Sequence, residues 1–317
     1  MPKILIIGGT GSLGHTLVDR YLPNNEIHIY SRDENKQWHM KNKYDSENLH
    51  FIIGDISDRE RLRYTLTKIQ ATHIIIAAAL KHIDICEYNT YESIKTNVNG
   101  IQNVIHCIST SPLENLDCVL FVSTDKACSP SNVYGMCKAL SERIVIEKSL
   151  ETNPTRFVVV RYGNVLSSRG SLLPKFHNIG RDLEKSQFTV THKDMTRFFM
   201  DLEHSVDLID YAMFNGKTGY TYIPNLPSYS IKDIAEIYSE IYNKPIVYTG
   251  IRPGEKMHEE LINDIEMKRT TRDGKFFAVA PPYCKDIDGI TDIESYTSLS
   301  HLSHNKEILR KFIADAE

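Results

Sequence analysis

Three glycines at three-residue spacing, Gly8, Gly11 and Gly14, directly follow a short apolar run, Lys3–Ile7. Glycines there allow a tight turn in which backbone N–H groups and a helix N-terminus approach a pyrophosphate, because side chains would block that approach. Such a pattern is weak in isolation and gains weight at a strand-to-helix turn. The sequence therefore predicts a phosphate-binding loop between the first strand and the first helix.

Strand and helix signals alternate through the first half of the chain. Strands are predicted at Lys3–Ile7, Glu26–Tyr30, Leu49–Ile53, Thr72–Ala79, Cys118–Ser123 and Arg156–Arg161. Helices are predicted at Ser12–Leu22, Arg59–Ile69, Ser93–Ser109 and Tyr134–Glu147. This alternation predicts an α/β fold, a Rossmann-type doubly wound parallel sheet. We expect a dinucleotide-binding domain over 1–165 and a smaller, partly non-contiguous substrate domain over 166–317, with some segments returning to the first.

Composition narrows the classes of partner. A formal net charge of -4 over 317 residues gives no reason to expect nucleic acid or an anionic membrane surface. The chain has no apolar run of transmembrane length, and Ile4–Ile7 reads as a strand rather than a signal peptide. Six cysteines without a CxxC pair and thirteen histidines without a ligand motif predict no metal site. We therefore expect a cytoplasmic protein with reduced thiols.

The ends of the second and third strands carry polar side chains. Ser31 and Arg32 offer a hydroxyl and a cation where an acidic residue would otherwise bind the ribose of NAD, so they favour the 2'-phosphate of NADP. Asp33 follows directly and weakens this distinction. Asp55 ends the third strand, and it either accepts a hydrogen bond from the adenine amino group or caps a turn.

Tyr134 and Lys138 share one face of a predicted helix at i and i+4. Lowering the pKa of a tyrosine from ~10 to ~7 takes about 4 kcal/mol, and one cation at about 4 Å and an effective dielectric of ~20 supplies roughly that. The pair can therefore form a phenolate that accepts a hydroxyl proton while hydride leaves the same carbon.

A hydroxyl, a carboxyl and an amine stand side by side at Thr124, Asp125 and Lys126. Thr124 is placed to bind a substrate hydroxyl. A plain dehydrogenase or 4-epimerase needs neither of the other two, whereas a dehydratase needs an acid and a base. Lysine can act as the base if its surroundings lower its pKa. Because adjacent residues of a strand point to opposite faces, the backbone must turn here for both to reach one substrate.

The motifs together resemble those of a known family, the inverting UDP-N-acetylglucosamine 4,6-dehydratases of the extended short-chain dehydrogenase superfamily. The three-residue glycine spacing is similar to that superfamily, and Lys126 stands where retaining dehydratases carry glutamate. The other motifs, in the same order as in the family, lie at 77–82, 123–127, 132–135, 161–165, 195–198 and 252–256. The resemblance spans Ile4 to about Pro282 and implies the polysaccharide-biosynthesis branch of the superfamily.

The resemblance implies a set of binding residues. Substrate contacts are expected from Lys81, Thr124, Asn164, Arg197, Arg252 and Glu255, the last four holding the UDP moiety. Two arginines suit a diphosphate, and a carboxylate suits ribose hydroxyls. NADP contacts are expected from Gly8, Thr10, Gly11, Ser12, Leu13, Gly14, Ser31, Arg32, Asp55, Ile56, Ala77, Ala78, Ala79, Lys81, Asn97, Tyr134 and Lys138.

The implied activity is NADP-dependent 4,6-dehydration of UDP-N-acetylglucosamine with inversion at C5, a hydro-lyase reaction in a homodimer or hexamer. The product would be UDP-2-acetamido-2,6-dideoxy-L-arabino-4-hexulose. One alternative is a nucleotide-sugar 4-epimerase or 4-ketoreductase, against which Asp125 and Lys126 argue. The other is a non-catalytic NADPH-binding regulator, against which the intact Tyr134 and Lys138 argue.

Overall fold

A nine-stranded sheet forms the centre of the computed structural model, which describes residues 1–152, 154–166, 170–284, 287, 289 and 295–314. The described strands are β1 Lys3–Ile7, β2 Glu26–Ser31, β3 Leu49–Ile53, β4 His73–Ile76, β5 Cys118–Val122, β6 Arg156–Val160, β7 Asn164–Val165, β8 Phe188–Val190, β9 Thr196–Met200, β10 Thr221–Pro224, β11 Ser228–Ser230, β12 Ile246–Tyr248, β13 Glu260–Ile262, β14 Thr270–Asp273, β15 Phe276–Val279 and β16 Tyr296–Thr297. The main sheet has the order β14-β15-β10-β6-β5-β4-β1-β2-β3.

Helices cover both faces of this sheet. They are α1 Ser12–Tyr21, α2 Glu34–Tyr44, α3 Arg59–Ile69, α4 Ile83–Tyr88, α5 Thr90–Ile94, α6 Gly100–Thr110, α7 Val133–Glu147, α8 Leu172–Arg181, α9 Leu202–Asn215, α10 Ile231–Tyr242, α11 Asp264–Met267 and α12 Lys306–Ala314. One apolar core joins α1, α2 and α9 to the sheet, and a second joins α3, α6 and α7 to its other face. The predicted α/β, Rossmann-type fold is confirmed. None of the described helices has the length and apolar composition needed to cross a bilayer.

Strand order determines where a ligand can enter. β1 pairs in parallel with β2 on one side and with β4 on the other, so the chain direction across the sheet reverses between β1 and β4. The crevice outside the carboxyl ends of the strands at such a reversal is the usual ligand site of an open α/β sheet. The glycine loop follows β1, and the loop beginning at Ala77 follows β4, so both border this crevice.

The C-terminal half contributes to two bodies of structure. Strands β10, β15 and β14 extend the main sheet beyond β6. A separate apolar core gathers α8, α10 and α12 around β8 and β9. Phe176, Phe188 and Tyr238 pack ring against ring at its centre. This second core faces the carboxyl ends of the main strands across the crevice, since its helix α8 and strand β8 both contribute to the crevice wall.

Two predicted elements differ in the structure. The strand expected over Thr72–Ala79 ends at Ile76, and the rest is loop. The helix expected over Ser93–Ser109 contains a π-helical turn, Lys95–Asn99, between α5 and α6. Such turns are rare and frequent near functional sites. Helix α2 was not predicted because it is polar, with Gln37 and Met40 as its buried residues.

A buried arginine ties the sheet to the C-terminal half. Arg161 follows β6 and is 3% exposed. Its guanidinium donates to both carboxylate oxygens of Glu142 on α7, at 3.0 and 2.6 Å, and to both of Glu266 on α11, at 2.7 and 3.0 Å. It also donates to the Leu261 carbonyl at 2.8 Å. One side chain thus fixes α7, β6 and the segment carrying β13 and α11 relative to one another.

Replacing Arg161 should destabilise the fold strongly. Arg161→Met leaves Glu142 and Glu266 buried without their cation, so the free energy of unfolding should fall by about 3–5 kcal/mol. Urea denaturation measures this loss. Arg310→Met is the matched control, because its ion pair with Glu240 is exposed and worth at most about 1 kcal/mol. Equal, small losses in both variants would contradict the structural role of Arg161.

The same cluster predicts acid sensitivity. Burial alone would raise the pKa of Glu266, but the Arg161 charge outweighs it and lowers this pKa from 4.5 to about 2. A carboxyl whose pKa is lower in the folded state stabilises the fold above its unfolded pKa, and this contribution is lost as pH falls toward the folded value. Wild-type stability should therefore decline between about pH 5 and pH 2, and the Glu266→Gln variant should show a shallower decline in urea titrations.

Candidate active site

A cleft of about 1090 Å³ opens at the carboxyl ends of the main strands. Ligand pockets for one small molecule commonly measure about 300–1,000 Å³, so this cleft has room for two ligands side by side. The predicted site residues that line it are Gly8, Thr10, Gly11, Ser12, Leu13, Gly14, Ser31, Arg32, Asp55, Ile56, Ala77, Ala78, Ala79, Lys81, Thr124, Lys126, Tyr134, Lys138, Asn164, Arg197, Arg252 and Glu255. Asp125 and Asn97 belong to the predicted site but do not line the cleft.

The three glycines of the loop have three different reasons to be glycine. Gly8 has a φ of +89°, and a Cβ there would lie 2.4 Å from the Ala78 backbone nitrogen. A Cβ on Gly14 would lie 1.8 Å from the Gly9 carbonyl oxygen, so α1 could not pack against the turn. Gly11, the N-cap of α1, has open space where its Cβ would be. That space beside a helix N-terminus is where a phosphate can approach the backbone.

The ends of β2 and β3 form one corner of the cleft. The side chain of Arg32 is 62% exposed there, and its Nη1 lies 3.5 Å from Asp55 Oδ2. Ser31 is buried, and its hydroxyl accepts a hydrogen bond from Gln37. Asp55 accepts from the Ser57 amide and hydroxyl at 2.8 and 2.7 Å, so it caps a turn while facing the cleft. Arg32 thus presents an exposed cation to this corner of the cleft.

Asn97 supports the cleft wall from behind. Its side-chain oxygen accepts from the Leu80 amide and its nitrogen donates to the Leu80 carbonyl, both at 2.8 Å. The π-helical turn that interrupts the predicted helix carries Asn97 into this position. These two bonds give Asn97 a positioning role for the loop that carries Ala79 and Lys81, and its predicted contact with a cofactor stays a prediction. Burial lowers the pKa of Lys81 in that loop.

Tyr134 and Lys138 are both buried at the cleft wall, on α7. Burial and the charge of Asp125 raise the pKa of Tyr134, whereas burial lowers the pKa of Lys138 to about 7. The Lys138 Nζ donates to the Val122 carbonyl at 2.6 Å. Burial thus disfavours the charged form of both groups, and the charge of Lys138 does not by itself offset the burial of Tyr134.

The Thr124–Lys126 segment contains the backbone turn that the sequence required. Thr124 caps a 3₁₀ turn, Asp125–Ala127, directly after β5. The turn presents Lys126 to the cleft and leaves Asp125 fully buried behind it. Asp125 Oδ1 accepts from the Thr124 hydroxyl at 2.8 Å and from Lys126 Nζ at 2.9 Å, and Oδ2 has no partner among the described residues. The carboxylate of Asp125 therefore reaches the cleft through Thr124 and Lys126, and its predicted catalytic role stays a prediction.

Lys126 is flanked by two carboxylates rather than by a cation. Its Nζ lies 2.9 Å from Asp125 Oδ1 and 3.5 Å from Glu259 Oε1. Burial alone would lower the pKa of Lys126, but the charges of Asp125 and Glu259 outweigh burial and the opposing charge of Arg197, so the pKa is raised. The condition under which a lysine acts as a base, a lowered pKa, is therefore not met by the described residues alone.

Three predicted UDP-binding side chains, Arg197, Arg252 and Glu255, meet further along the wall that carries Lys126. The fourth, Asn164, lies 3.5 Å from the Lys126 Nζ. Arg197, on β9, donates to the carbonyls of Thr196, Met257 and Lys256 at 2.7–3.1 Å. Arg252 is 59% exposed, and its guanidinium bonds the Glu255 carboxylate at 2.9 and 3.3 Å. The charge of Arg252 lowers the pKa of Glu255 despite burial. The Glu255 carboxylate thus pairs with Arg252. A contact between Glu255 and ribose hydroxyls, as predicted, would require the ribose and Arg252 to share that carboxylate.

Sequence reasoning missed two residues of the site. Lys36, on α2, lines the cleft beside Arg32 and forms an ion pair with Asp33 at 2.7 Å. Glu259 is 2% exposed and contacts both Lys126 and Arg197. Neither residue lies in a recognisable motif. The sequence pattern around Lys36 and Glu259 is that of an ordinary lysine and an ordinary glutamate, so no local signal could have identified them.

One group of potential metal ligands occurs among the described residues, away from the cleft. Glu26, His28 and His50 lie at the amino ends of β2 and β3. Both histidine Nε2 atoms already lie within 2.9 and 3.3 Å of the Glu26 carboxylate, whose other oxygen lies 3.6 Å from Lys3. These ligands therefore pair with one another and with a cation, and the cleft chemistry does not involve them.

Comparisons with known proteins identify the family of this chain. Residues 4–281 match the family described as polysaccharide biosynthesis protein. The inverting UDP-N-acetylglucosamine 4,6-dehydratase of Campylobacter jejuni subsp. jejuni serotype O:2 is 38% identical over 287 residues, 88% of this chain and 83% of the relative. The UDP-glucose 4-epimerase of Rickettsia bellii is 33% identical, covering 99% of this chain and 96% of the relative.

A solved structure agrees along nearly the whole chain. The X-ray structure of Pen from Bacillus thuringiensis has a TM-score of 0.90 and 32% identity, covering 99% of this chain and 97% of that one. The family match and these relatives together cover the glycine loop, the turn Asp125–Ala127 and the segments that carry Arg197 and Arg252. The resemblance inferred from the motifs is thus confirmed, and this chain belongs to the polysaccharide biosynthesis protein family of the extended short-chain dehydrogenases.

Proposed function

We propose that this protein is an NADP-dependent hydro-lyase that converts UDP-N-acetylglucosamine to UDP-2-acetamido-2,6-dideoxy-L-arabino-4-hexulose, with inversion at C5. The observation that carries this proposal is a second acid–base group in the cleft besides Tyr134. Lys126 faces the cleft with a carboxylate on either side of its ammonium, Asp125 at 2.9 Å and Glu259 at 3.5 Å. Removal of water across C5 and C6 needs such a second group.

The glycine loop and its neighbours fit a dinucleotide. Gly11 leaves open space beside the N-terminus of α1, and Arg32 and Lys36 supply cations for a 2'-phosphate at the far corner. When bound, the oxidised nicotinamide would supply a hydride acceptor and a positive charge. Tyr134 would accept the proton of the C4 hydroxyl, and a positive charge in the cleft would offset the burial that raises its pKa.

The Lys126–Asp125 ion pair can supply both members of the elimination. Transfer of one proton along the 2.9 Å contact converts the resting pair into a neutral amine and a carboxylic acid. The amine removes the C5 proton, which the C4 ketone has acidified. The Thr124 hydroxyl, 2.8 Å from Asp125 and facing the cleft, donates its proton to the departing C6 hydroxyl and takes that of Asp125. Protons balance, and water leaves.

A second function deserves a direct test because relatives at similar identity are named UDP-glucose 4-epimerase. An epimerase would oxidise and reduce C4 without losing water, so Tyr134 would suffice. Incubating the protein with UDP-N-acetylglucosamine and with UDP-glucose, followed by NMR of the products, separates the two. A 6-deoxy-4-keto sugar supports dehydration, a C4 epimer supports the alternative, and no turnover of either supports a non-catalytic NADPH-binding protein.

The cofactor preference can be tested at Arg32. Arg32→Ala removes the exposed cation expected to contact the 2'-phosphate, so NADP affinity should fall about tenfold to a hundredfold while NAD affinity stays nearly constant. Fluorescence or calorimetric titration with both dinucleotides measures this. Arg63→Ala, an exposed arginine paired with Glu60 outside the cleft, is the control. Equal losses for NADP and NAD would contradict the proposed NADP preference.

We propose that the protein assembles at least as a homodimer, through the region of α4–α6 and α7. Large apolar side chains are exposed there, with Tyr88 and Tyr91 on α4–α5 and Met136 and Leu140 on α7 at 52–87% exposure. Contiguous exposed apolar surface favours association. Light scattering should give a mass of at least two chains, and Leu140→Glu should reduce it. Leu183→Glu, on a more exposed leucine outside this region, should not.

The reaction steps should separate by mutation. Tyr134→Phe should neither reduce the cofactor nor release water, because it blocks the first oxidation. Lys126→Ala should still allow oxidation at C4 but slow elimination about a hundredfold to ten-thousandfold, with reduced cofactor accumulating in the site. Stopped-flow absorbance of the cofactor and NMR of the product follow the two steps separately.

Isotope labelling tests the same scheme. In heavy water, the wild-type product should carry one deuterium at C5, while C6 receives the hydrogen originally at C4. Solvent deuterium at C6 in the first product would exclude internal hydride return. A Lys126→Ala variant that dehydrates at the wild-type rate would show that Lys126 is only an ion-pair partner.

A further inference from the structure

Six charged side chains form a series of alternating sign along the cleft wall. From the turn after β5 outward they are Asp125, Lys126, Glu259, Arg197, Glu255 and Arg252. The closest charged atoms of successive members lie 2.9, 3.5, 3.8, 3.7 and 2.9 Å apart. The first five side chains are at most 14% exposed, and Arg252 is 59% exposed. The series therefore runs from solvent to the buried acid–base pair.

Glu259 is the member that joins the two ends. The same carboxylate oxygen, Oε1, lies 3.5 Å from Lys126 Nζ and 3.8 Å from Arg197 Nε. Its other oxygen is buried without a hydrogen-bond partner among the described residues. A buried carboxylate is costly unless cations compensate it, so the position of Glu259 depends on both neighbours and theirs depends on it.

The C-terminal segment holds Glu259 in place. The Glu259 amide donates to the Ser298 hydroxyl at 2.9 Å, and the Ser298 amide donates to the Glu259 carbonyl at 2.8 Å. The Ser298 hydroxyl is also 2.7 Å from that of Thr196, the neighbour of Arg197 on β9. Pairing of β16 with β13 continues this contact. A segment outside the family match thus fixes a buried charge of the site.

We infer that Glu259 is a positioning residue that couples the anion-binding arginines to Lys126. The inference rests on the proposed function for its ligand, a nucleoside diphosphate. An anion bound at Arg197 competes with Glu259 for the guanidinium, and Glu259 then acts on Lys126 alone. Binding of the diphosphate therefore favours the protonated form of Lys126, and the coupling is reciprocal.

The charges that face Lys126 give the sign of the effect. Asp125 on its own turn and Glu259 before β13 stabilise the ammonium, while Arg197 on β9 opposes it. An opposite charge within about 4–6 Å shifts a pKa by roughly one to three units. Loss of the Glu259 charge should therefore lower the pKa of Lys126, whereas loss of a merely structural side chain would not.

The test compares Glu259→Gln with Glu260→Gln in the full-length protein. Glu260 is the next residue, but its carboxylate contacts the Ser129 hydroxyl at 2.6 Å instead of the charge series. NMR of 13C-labelled lysine, with the Lys126 signal assigned from a Lys126→Arg sample, measures the titration directly. Lys126 should titrate about one to three pH units lower in Glu259→Gln and as in wild type in Glu260→Gln.

UDP binding and the pH profile give two further readouts. Removing an anion beside Arg197 should leave UDP binding, measured by calorimetry, at least as tight as in wild type. The pH dependence of water release should move to lower pH with the Lys126 titration. Glu259→Asp retains the charge and should give an intermediate titration, which keeps the test available if the glutamine variant does not fold.

Two results would overturn the inference: an unchanged Lys126 titration in Glu259→Gln, or UDP affinity weakened tenfold or more. Failure of the proposed function is distinguishable from these. It would appear as wild-type protein that releases no water from UDP-N-acetylglucosamine, and the lysine titration needs no turnover.

Discussion

The buried guanidinium of Arg161 is the interaction on which the site depends most. It bonds Glu142, which lies on α7 with Tyr134 and Lys138. It also bonds Glu266 on α11, the helix that follows β13, and Glu259 directly precedes that strand. Burying an arginine between two carboxylates is favourable only when every donor is satisfied. The cluster therefore permits one arrangement of α7 against the C-terminal half, and that arrangement brings Tyr134 and Lys126 to the same cleft.

Burial has a second consequence for the chemistry. Tyr134 and Lys126, the two groups proposed to transfer protons, are both buried, and burial disfavours the charged form of each. Their surroundings compensate this effect differently. Two carboxylates compensate Lys126, so its pKa is raised. Burial and the charge of Asp125 raise the pKa of Tyr134, and no cation among the described residues offsets them. Under the proposed function, the positive charge of a bound oxidised cofactor would offset this burial.

Local patterns were enough to predict the glycine loop, the parallel sheet and the turn after β5, because each depends on a few neighbouring residues. The glycines and the run Thr124–Lys126 fall where expected. Features that depend on distant parts of the chain were not predictable. Asn97 binds Leu80 from within a π-helical turn, and Glu259 reaches Lys126 from a segment that pairs with β16. The pKa of Lys126 depends on Glu259, a residue distant from it in the chain.

The relatives include proteins named for dehydration and for epimerisation at 38% and 33% identity, so the choice between the two activities rests on the site. Epimerisation at C4 uses one proton-transfer group, and Tyr134 supplies it. Burying the charges of Asp125, Lys126 and Glu259 costs several kcal/mol in desolvation, which their mutual attraction must offset. That arrangement adds nothing to oxidation and reduction at one carbon. Removal of a proton from C5 and of a hydroxyl from C6 would use such groups, and this is why we propose elimination rather than epimerisation for this cleft.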